Sequence, residues 1–349
     1  MKNLTTFLFL FISCIITGCS RSDSSDVTES ITKKPVSKAP AKEAGTTAVF
    51  DIPTIKTLFI TTSGRSFIYE KPDTQSVILD TLEYGYKIDI IGESENWYQI
   101  KERVGRSFVK NGKQVFSSGW EIVNIQKENT GTLSKIKLTA PDLYKTYEGN
   151  SVKDKVQMRI ISKKEFDSTR SSTNKFLTTH NSAVSSKDSV ITIAVGNGLN
   201  KVYVSSPNAE ENLKVYKYIG HIDLLNAYLL TIDYYEGTEY MLYNAGTGKE
   251  LISFNDYPYI SPDGKYIVSV YTNPYDQTTD FQLYTITNNQ KIRRELETSF
   301  SNWMVALEPQ EVFWKNNSTL VMKVLHAKAF WNENGDLNKN YQYLEMELL

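Results

Sequence analysis

The chain has 349 residues, and its 39 basic and 40 acidic side chains give a net charge of −1 at neutral pH. This balance argues against a basic nucleic-acid-binding surface, so no nucleic-acid partner is expected. The chain has 22 tyrosines but only three histidines and two cysteines. Few residues are therefore available for disulfide bonds or for metal sites built from histidine or cysteine.

The N-terminus has the pattern of a secretory signal. Lys2 is followed by an apolar run, Leu4–Ile16, which is shorter than the ~20 residues that a membrane-spanning helix needs. The letters "ITGC", ending at Cys19, resemble the lipobox of bacterial lipoproteins. The resemblance implies that residues 1–18 are a lipoprotein signal peptide and that the thiol of Cys19 is acylated. An ordinary signal peptide with a chance cysteine is the alternative.

The next segment, residues 19–50, is rich in Ser, Thr, Lys, Pro and Ala and has few large apolar residues. Such a composition cannot bury enough surface to offset its ordering entropy, so it predicts a flexible tether. Cys14 would leave with the signal peptide, so the mature chain would have no cysteine pair. Ser20 differs from the aspartate that retains lipoproteins in the inner membrane of enteric bacteria. An outer-membrane location is therefore favoured, on either the periplasmic or the outer face.

The remainder of the chain is predicted to be mainly β. It combines many Tyr, Thr, Ile and Val residues in short alternating runs that Gly, Asn, Asp and Pro interrupt. Long stretches with a period of 3.6 residues do not occur, and a short helix is expected near Ser162–Thr173.

Residues 51–128 are predicted to form short strands whose motifs resemble a bacterial SH3-like domain. The shared elements are Pro72 in a loop, an alternating strand after Gly85, "WYQI" from Trp97 and "GWEI" from Gly119. The resemblance implies a small β-barrel. The opening "SFIYEKP" departs from the family pattern, and "RVGRSFVKNGKQVFSS" is expected to lengthen the loop before Gly119.

The resemblance also implies binding of a peptide, a cell-wall fragment or a protein partner. The candidate groove residues are Tyr69, Trp97, Tyr98 and Trp120, because aromatic side chains provide rigid contact area with a polar edge. For Trp97 and Trp120, packing in the core is as well supported by the sequence as a position in the groove. Since neighbours on a strand point to opposite faces, we predict that Trp97 is buried and that Tyr98 is exposed.

Residues 129–349 contain a loose repeat of strand patterns. The units open around Val190, Tyr228, Tyr266 and Leu320. The first two intervals are 38 residues and the third is 54, and periods near ~40 are typical of propeller blades. "SPDG", ending at Gly264, resembles the turn before a blade strand in TolB- and WD-type propellers. This predicts a larger antiparallel β domain of three to four propeller-like units. A closed four-blade ring, an open twisted sheet and a sandwich completed by residues 131–182 are all compatible.

Motifs for catalysis or cofactor binding were not found. The sequence lacks a G-x-S-x-G elbow, an H-E-x-x-H helix, a phosphate loop and a dinucleotide fingerprint. The scattered histidines are His180, His221 and His326. A loop that imitates a calcium site ends at Glu345, but Lys339 stands where such a loop needs glycine. We therefore predict no catalytic residue, no metal site and no cofactor, and a polar hairpin with an Asn-Gly turn instead.

These observations favour a lipid-anchored, non-enzymatic envelope protein that binds a protein, a peptide or peptidoglycan. An accessory or catalytic component of cell-wall hydrolysis is the second hypothesis, which the missing cysteine and histidine constellations disfavour. The third hypothesis is an inhibitor or immunity lipoprotein with an acidic-aromatic face at "DYYEGTEY". Its candidate binding residues are Tyr234, Tyr235 and Tyr240, and a solvated hairpin is the structural alternative.

Overall fold

The computed structural model describes residues 51–169, 176–179, 182–207, 213–287, 289–307 and 312–349. These residues form five antiparallel sheets, which confirms the predicted mainly-β fold class. The predicted signal peptide, the tether with Cys19, and His180 lie outside the described residues. None of the helices in the described ranges has the length and apolar character needed to cross a membrane.

The first domain is a single seven-stranded sheet. Its strands are β1 (Lys56–Ile60), β2 (Ser66–Tyr69), β3 (Ile78–Leu82), β4 (Lys87–Glu93), β5 (Trp97–Lys110), β6 (Lys113–Gln126) and β7 (Thr130–Gly131). Across the sheet they lie in the order β3-β2-β6-β5-β4-β1-β7. The fully buried side chains of Ile60, Ile68 and Ile100 share one core. Among the described strands, β3 and β7 do not pair, so the expected barrel is a sheet that wraps its core without closing.

The predicted loop before Gly119 is part of a long hairpin. Strands β5 and β6 remain paired out to Lys110 and Lys113, and the turn between them has positive φ angles of 54° at Asn111 and 75° at Gly112. Two central residues with positive φ are characteristic of a type I′ turn, which favours Asn-Gly. The prediction of a longer loop was wrong, because the inserted residues alternate and pair as strands.

Short 3-10 turns connect the first domain to the rest of the chain, at Lys127–Asn129, Leu133–Lys135 and Ala140–Tyr144. Phe59 of β1 packs with Leu133, Ile136, Ala329 and, partly buried, Tyr84 in one apolar cluster. This cluster joins the first domain to the β domain.

The β domain contains seventeen described strands in four sheets. The strands are β8 (Val156–Ile161), β9 (Leu177–Thr178), β10 (Val184–Lys187), β11 (Val190–Ala194), β12 (Asn200–Val204), β13 (Val215–Ile222), β14 (Ala227–Asp233), β15 (Thr238–Asn244), β16 (Glu250–Phe254), β17 (Tyr259–Ile260), β18 (Tyr266–Asn273), β19 (Thr278–Ile286), β20 (Ile292–Phe300), β21 (Trp303–Val305), β22 (Val312–Trp314), β23 (Thr319–His326) and β24 (Gln342–Leu348). Further 3-10 turns lie at Gly196–Gly198, Asp223–Leu225 and Ala327–Ala329.

Apart from β8 and β9, which precede the first of them in the sequence, the strands of the four sheets follow one another along the chain. Their strand orders are β10-β11-β12, then β16-β15-β14-β13-β9, then β17-β18-β19-β20, and last β21-β23-β24-β8 with β22 beside β23. Apolar clusters join the first to the second, the second to the third and the third to the fourth. No such cluster joins the first sheet to the fourth among the described residues, so ring closure and the propeller resemblance stay predictions.

The fourth sheet combines distant parts of the chain. Strand β8 pairs along its whole length with β24, from Ile161 with Tyr343 to Val156 with Leu348. The first and the last described strands of the β domain therefore hold each other in place. The sandwich alternative had assigned a completing role to residues 131–182, and β8 lies within that range.

The predicted short helix is α1 (Lys163–Ser168), and it covers the outer face of the fourth sheet. Ser162 forms a capping box with Glu165, since each side chain accepts a hydrogen bond from the backbone N–H of the other. Phe166 is buried against Val321 of β23. Local capping chemistry thus determines where α1 begins.

One strand of the repeat units lies in a different sheet from the one that the sequence pattern predicts. A first unit that opens at Val190 and ends before Tyr228 includes "LKVYKYIG" as its third strand, but this strand, β13, pairs with β14 along most of its length, starting with Val215 and Asp233. This segment is connected to the end of β12 by an isolated bridge, Ser206 with Lys214. The backbone N–H of Tyr216 adds a second connection, since it donates to Ser205 Oγ at 3.0 Å. The third strand of the first unit therefore belongs to the second sheet.

Candidate ligand groove of the first domain

One wall of the candidate groove is the loop between β2 and β3. The backbone N–H of Lys71 donates to Ser76 Oγ at 3.0 Å, and that of Gln75 donates to Asp73 Oδ1 at 2.9 Å. Pro72 lies inside this turn and restricts its backbone further. The loop is short and internally hydrogen-bonded, so it presents Asp73 and Thr74 in a defined geometry.

The opposite wall is the turn between β4 and β5. The N–H of Ser94 donates to the carbonyl oxygen of Trp97 at 2.9 Å, and the N–H of Lys127 donates to that of Asn96 at 3.0 Å. The half-buried indole of Trp97 meets the ring of Tyr69 edge-on, with a centroid distance of 5.3 Å. Tyr69 thus supports the tryptophan from the core side, and part of the indole faces the groove.

A cavity of about 450 Å³ lies between the two walls and the end of β6. Its lining residues are Pro72, Asp73, Thr74, Asn96, Trp97, Gln126, Lys127 and Glu128. Behind it, the buried amide of Asn124 donates to the carbonyl oxygens of Tyr69 and Glu70, at 3.4 and 3.1 Å. The cavity is therefore a rigid groove with one aromatic surface and a polar rim, hereafter the Trp97 groove.

Lys127, the lysine that lines the Trp97 groove, is neutralised by Glu93, which lies outside the groove. Lys127 Nζ lies 2.6 Å from Glu93 Oε1, and Lys56 Nζ lies 3.0 Å from Glu93 Oε2. These two hydrogen bonds, that of Lys127 first, lower the pKa of the Glu93 carboxyl. Because Lys127 is already paired, the carboxylates of Asp73 and Glu128 give the groove an acidic character. The groove can bind a ligand that offers an apolar or planar group together with amines or amides.

The structure separates the four aromatic residues predicted for this groove. Trp97 lines it, and Tyr69, which is 6% exposed, packs behind Trp97. Tyr98 belongs to the core, and its hydroxyl accepts a hydrogen bond from Lys56 Nζ at 3.2 Å. The predicted facing of this strand, with Trp97 buried and Tyr98 exposed, was wrong.

Trp120 lies on β6, six positions before Gln126 of the groove. At about 3.3 Å per residue this corresponds to roughly 20 Å along the strand, so Trp120 does not reach the groove. Its side chain is 39% exposed and lies opposite Arg103 at the base of the long hairpin.

The three tyrosines of "DYYEGTEY" do not form one surface. Tyr235 is 82% exposed at the turn. The hydroxyl of Tyr234 donates to Glu239 Oε2 at 3.2 Å, and burial raises the pKa of this phenol to about 12. Tyr240 instead meets Tyr257 edge-on, with a centroid distance of 5.8 Å. Glu239 and Tyr240 are successive residues of one strand, so Tyr234 and Tyr240 lie on opposite sides of the hairpin.

The two histidines within the described residues have structural contacts. His221 Nδ1 lies 2.7 Å from Asp223 Oδ1, and the ring meets Tyr228 edge-on. His326 is buried at the contact between the domains, where its Nδ1 accepts a hydrogen bond from the backbone N–H of Lys328 at 3.1 Å. Burial, as the largest cause, lowers the pKa of His326 to about 4, so the ring is neutral at neutral pH.

The loop that imitates a calcium site is a turn. The N–H groups of Asn334 and Asp336 both donate to Asn332 Oδ1 at 2.9 Å, and Gly335 has a φ of 84°. Asn338, which the calcium pattern would use as a ligand, is buried and donates to the carbonyl oxygen of Ala329 at 2.7 Å. Groups of three or more His, Cys, Asp or Glu with metal-binding geometry were not found in the described part of the chain.

Sequence reasoning missed several groove residues. Asn96, Gln126 and Lys127 are not aromatic, and Asn96 lies 30 positions before Gln126 in the sequence. The only local indication is that Asn96 directly precedes the "WYQI" motif, at the turn where such a strand begins. Asp73 could have been chosen because it follows Pro72 in the loop that the family resemblance had already identified.

Residues 64–113 match a protein-family model described as Bacterial SH3 domain. The matched segment begins just before β2 and ends at the start of β6, so it contains Pro72 and Trp97 of the groove. The groove residues at the end of β6 follow it but lie in the same sheet. A comparison with curated proteins finds no match to the chain. The sequence match and the seven-stranded sheet together place residues 64–113 in a bacterial SH3 domain.

Proposed function

We propose that this protein is a lipid-anchored, non-enzymatic protein of the bacterial cell envelope whose SH3 domain binds a peptide or the peptide part of the cell wall. The observation that carries the proposal is the Trp97 groove in a domain that matches the bacterial SH3 family. Bacterial SH3 domains often bind protein or cell-wall partners. The groove is the place on this domain where an aromatic surface, a rigid loop and carboxylates meet.

The chemistry of the groove favours a peptide ligand. A peptide backbone supplies amide groups for Asn96 and Gln126, which can both donate and accept hydrogen bonds. A free amine on the ligand would pair with Asp73 or Glu128, and an aliphatic segment would lie on the Trp97 indole. Aromatic side chains in such positions often provide much of the binding energy.

The proposal is tested by measuring binding of the purified protein to isolated peptidoglycan and to its soluble peptide fragments. Trp97→Ala should weaken binding by about tenfold or more, since a buried contact of this kind is typically a hot spot. Trp120→Ala is the matched control, because it removes a part-exposed tryptophan of the same sheet from outside the groove. Equal binding by the two variants would contradict the assignment of the groove.

The anchoring part of the proposal concerns Cys19. It is supported by the lipobox-like "ITGC" and by the tether-like composition of residues 19–50. A fatty-acid probe should label the wild-type protein in cells but not Cys19→Ser, which has no alkylatable thiol. Fractionation should place the wild type in the outer membrane, as the Ser20 position suggests. Equal labelling of both proteins would show that Cys19 is not the acylated residue.

The non-enzymatic part of the proposal is tested on the same peptidoglycan. The purified protein should release no soluble fragments during prolonged incubation. His221 is the histidine to examine if fragments appear, because its ring is partly exposed and already bonded to Asp223. Release that His221→Gln abolishes would favour a hydrolase.

A further inference from the structure

The β5–β6 hairpin extends beyond the core of the SH3 domain. Val104 is buried at the edge of the core, but every residue from Gly105 to Ser118 is at least partly exposed. Asn111 at the turn lies six positions after Gly105, which is about 20 Å of extended strand. We call residues 105–118 the arm. It is a two-stranded ribbon that packs on no described apolar cluster.

Behind its polar turn, Lys110 to Lys113, the outer half of the arm carries large apolar side chains on both faces. Residues paired across the two strands share a face, and Phe108 pairs with Val115 whereas Ser107 pairs with Phe116. Phe108 and Phe116 therefore point to opposite sides of the ribbon. The exposed fractions are 38% for Phe108, 64% for Val109 and 70% for Phe116. Large exposed apolar side chains clustered in this way mark an interaction site.

The arm and its base also concentrate positive charge. The segment 103–120 contains Arg103, Arg106, Lys110 and Lys113 but no Asp or Glu, although the whole chain has a net charge of −1. Arg106 is neutralised, since it bonds to Glu121 at 2.6 Å and to Glu70 at 3.3 Å. Within the described residues, Arg103, Lys110 and Lys113 form no salt bridge.

From this charge and shape we propose that the outer half of the arm binds to the surface of an anionic phospholipid bilayer. Phe108, Val109 and Phe116 would enter the boundary between headgroups and acyl chains, and the long side chains of Lys110 and Lys113 beside the turn would extend to the anionic headgroups. Because both faces of the ribbon carry phenylalanine, a fluid layer that surrounds the outer half of the arm fits better than a flat protein surface, which would cover only one face.

This inference goes beyond the proposed function and uses neither Cys19 nor the Trp97 groove. If both hold, the arm would give the SH3 domain a second contact with the membrane that carries the anchor. The groove would then be held at a defined distance from the lipid surface. The protein in the experiment below lacks Cys19 and therefore any lipid anchor, and no peptidoglycan is present, so its outcome is independent of both earlier tests.

The experiment is sedimentation of the chain from residue 20 onwards, which keeps every described residue, with vesicles. Vesicles of phosphatidylcholine alone are compared with vesicles of phosphatidylcholine and phosphatidylglycerol in equal amounts. The wild type should sediment with the anionic vesicles, less so at high salt, and should not sediment with the neutral ones. Absence of binding to the anionic vesicles would overturn the proposal.

Two double variants test the two parts of the arm separately. The variant with Val109→Ser and Phe116→Ser should lose about tenfold or more in partitioning, because the inserted apolar surface is removed. The variant with Lys110→Gln and Lys113→Gln should lose about fivefold for each lysine. The matched control has Tyr147→Ser and Tyr275→Ser, which are 73% and 82% exposed in the β domain.

The control should bind like the wild type, and all variants should keep the wild-type thermal midpoint because the altered side chains are exposed. Binding that is equal in wild type, arm variants and control would overturn the proposal. So would a wild-type dimer in sedimentation velocity that the arm variants convert to monomer without vesicle binding, because the arm would then be an interface between copies of the chain.

Discussion

At the scale of single residues, Tyr98 should contribute more to stability than its neighbour Trp97. Its ring is 9% exposed within the core cluster, and Lys56 Nζ and Lys127 Nζ lie 4.6 and 5.0 Å from the ring centre. Tyr98→Ala should lower the free energy of unfolding by about 3–5 kcal/mol, as for other large core aromatics. Urea denaturation with fluorescence detection measures this.

Two further variants complete that comparison. Tyr98→Phe keeps the ring and removes only the hydroxyl that accepts from Lys56, so it should cost about 1 kcal/mol. Trp97→Ala should cost less than Tyr98→Ala because the indole is half-buried. If Trp97→Ala proved the more destabilising of the two alanine variants, the facing of β5 in this structure would be wrong.

His326 should make stability depend on pH. Burial holds its pKa near 4, below the ordinary 6.5; the carboxylate of Asp142 opposes this shift, and Lys328 and Lys145 add to it. Above pH 6.5 the ring is neutral in folded and unfolded chains. Between about pH 6.5 and 4 the unfolded chain binds a proton that the folded chain does not, so stability falls with falling pH, by about 3 kcal/mol at most.

His326→Asn tests this pH effect, because the asparagine Oδ1 can replace Nδ1 as the acceptor for the Lys328 N–H. The free energy of unfolding, measured by urea denaturation from pH 7 to pH 4, should decline less steeply in the variant. His221→Asn is the control on a partly exposed ring. Parallel curves for wild type and His326→Asn would show that another group is responsible.

At the scale of elements, the arm should be dispensable for folding. Arg106 and Ser117 face each other four positions before the Lys110–Lys113 pair that closes the native turn, so they form the same kind of pair and an Asn-Gly turn can replace residues 107–116 and preserve the register. The shortened protein loses mainly exposed side chains, and it keeps the ion pairs of Arg106. Its free energy of unfolding should change by less than about 1 kcal/mol in urea denaturation. A larger loss would mean that the arm packs on the body of the protein.

At the scale of the whole molecule, β24 should be essential for the β domain. It lies between β23 and β8, and its Leu344 and Met346 are fully buried in the core shared by the third and fourth sheets. A chain that ends at Asn340 would leave β8 unpaired and that core open. We expect loss of the near-ultraviolet circular dichroism of the β domain and rapid proteolysis. A chain that lacks only Leu349, which is 65% exposed, should behave like the wild type.

The sequence by itself determined the features that depend on neighbouring residues. The short helix that begins after Ser162 and the turn before β18 are examples, whereas the Asn111-Gly112 turn, although equally local, was missed in favour of a longer loop. In the turn before β18, Ser261 Oγ donates to Asp263 Oδ1 at 2.8 Å, and Gly264 adopts a φ of 73°. Alternation of apolar and polar side chains likewise predicted most strands and the mainly-β fold. These signals are local because a turn or a cap is formed by residues within a few positions of each other.

Only the tertiary structure decided which face and which partner each strand uses. Trp97 and Tyr98 are both large aromatics, so their alternation cannot tell which of them enters the core. The position of β13 in the second sheet and the pairing of β8 with β24 depend on contacts between distant segments. The alternation of side chains within a strand does not specify which other strand it pairs with. The Trp97 groove depends on the same pairing, since two loops and the end of β6 meet there only after the sheet has formed.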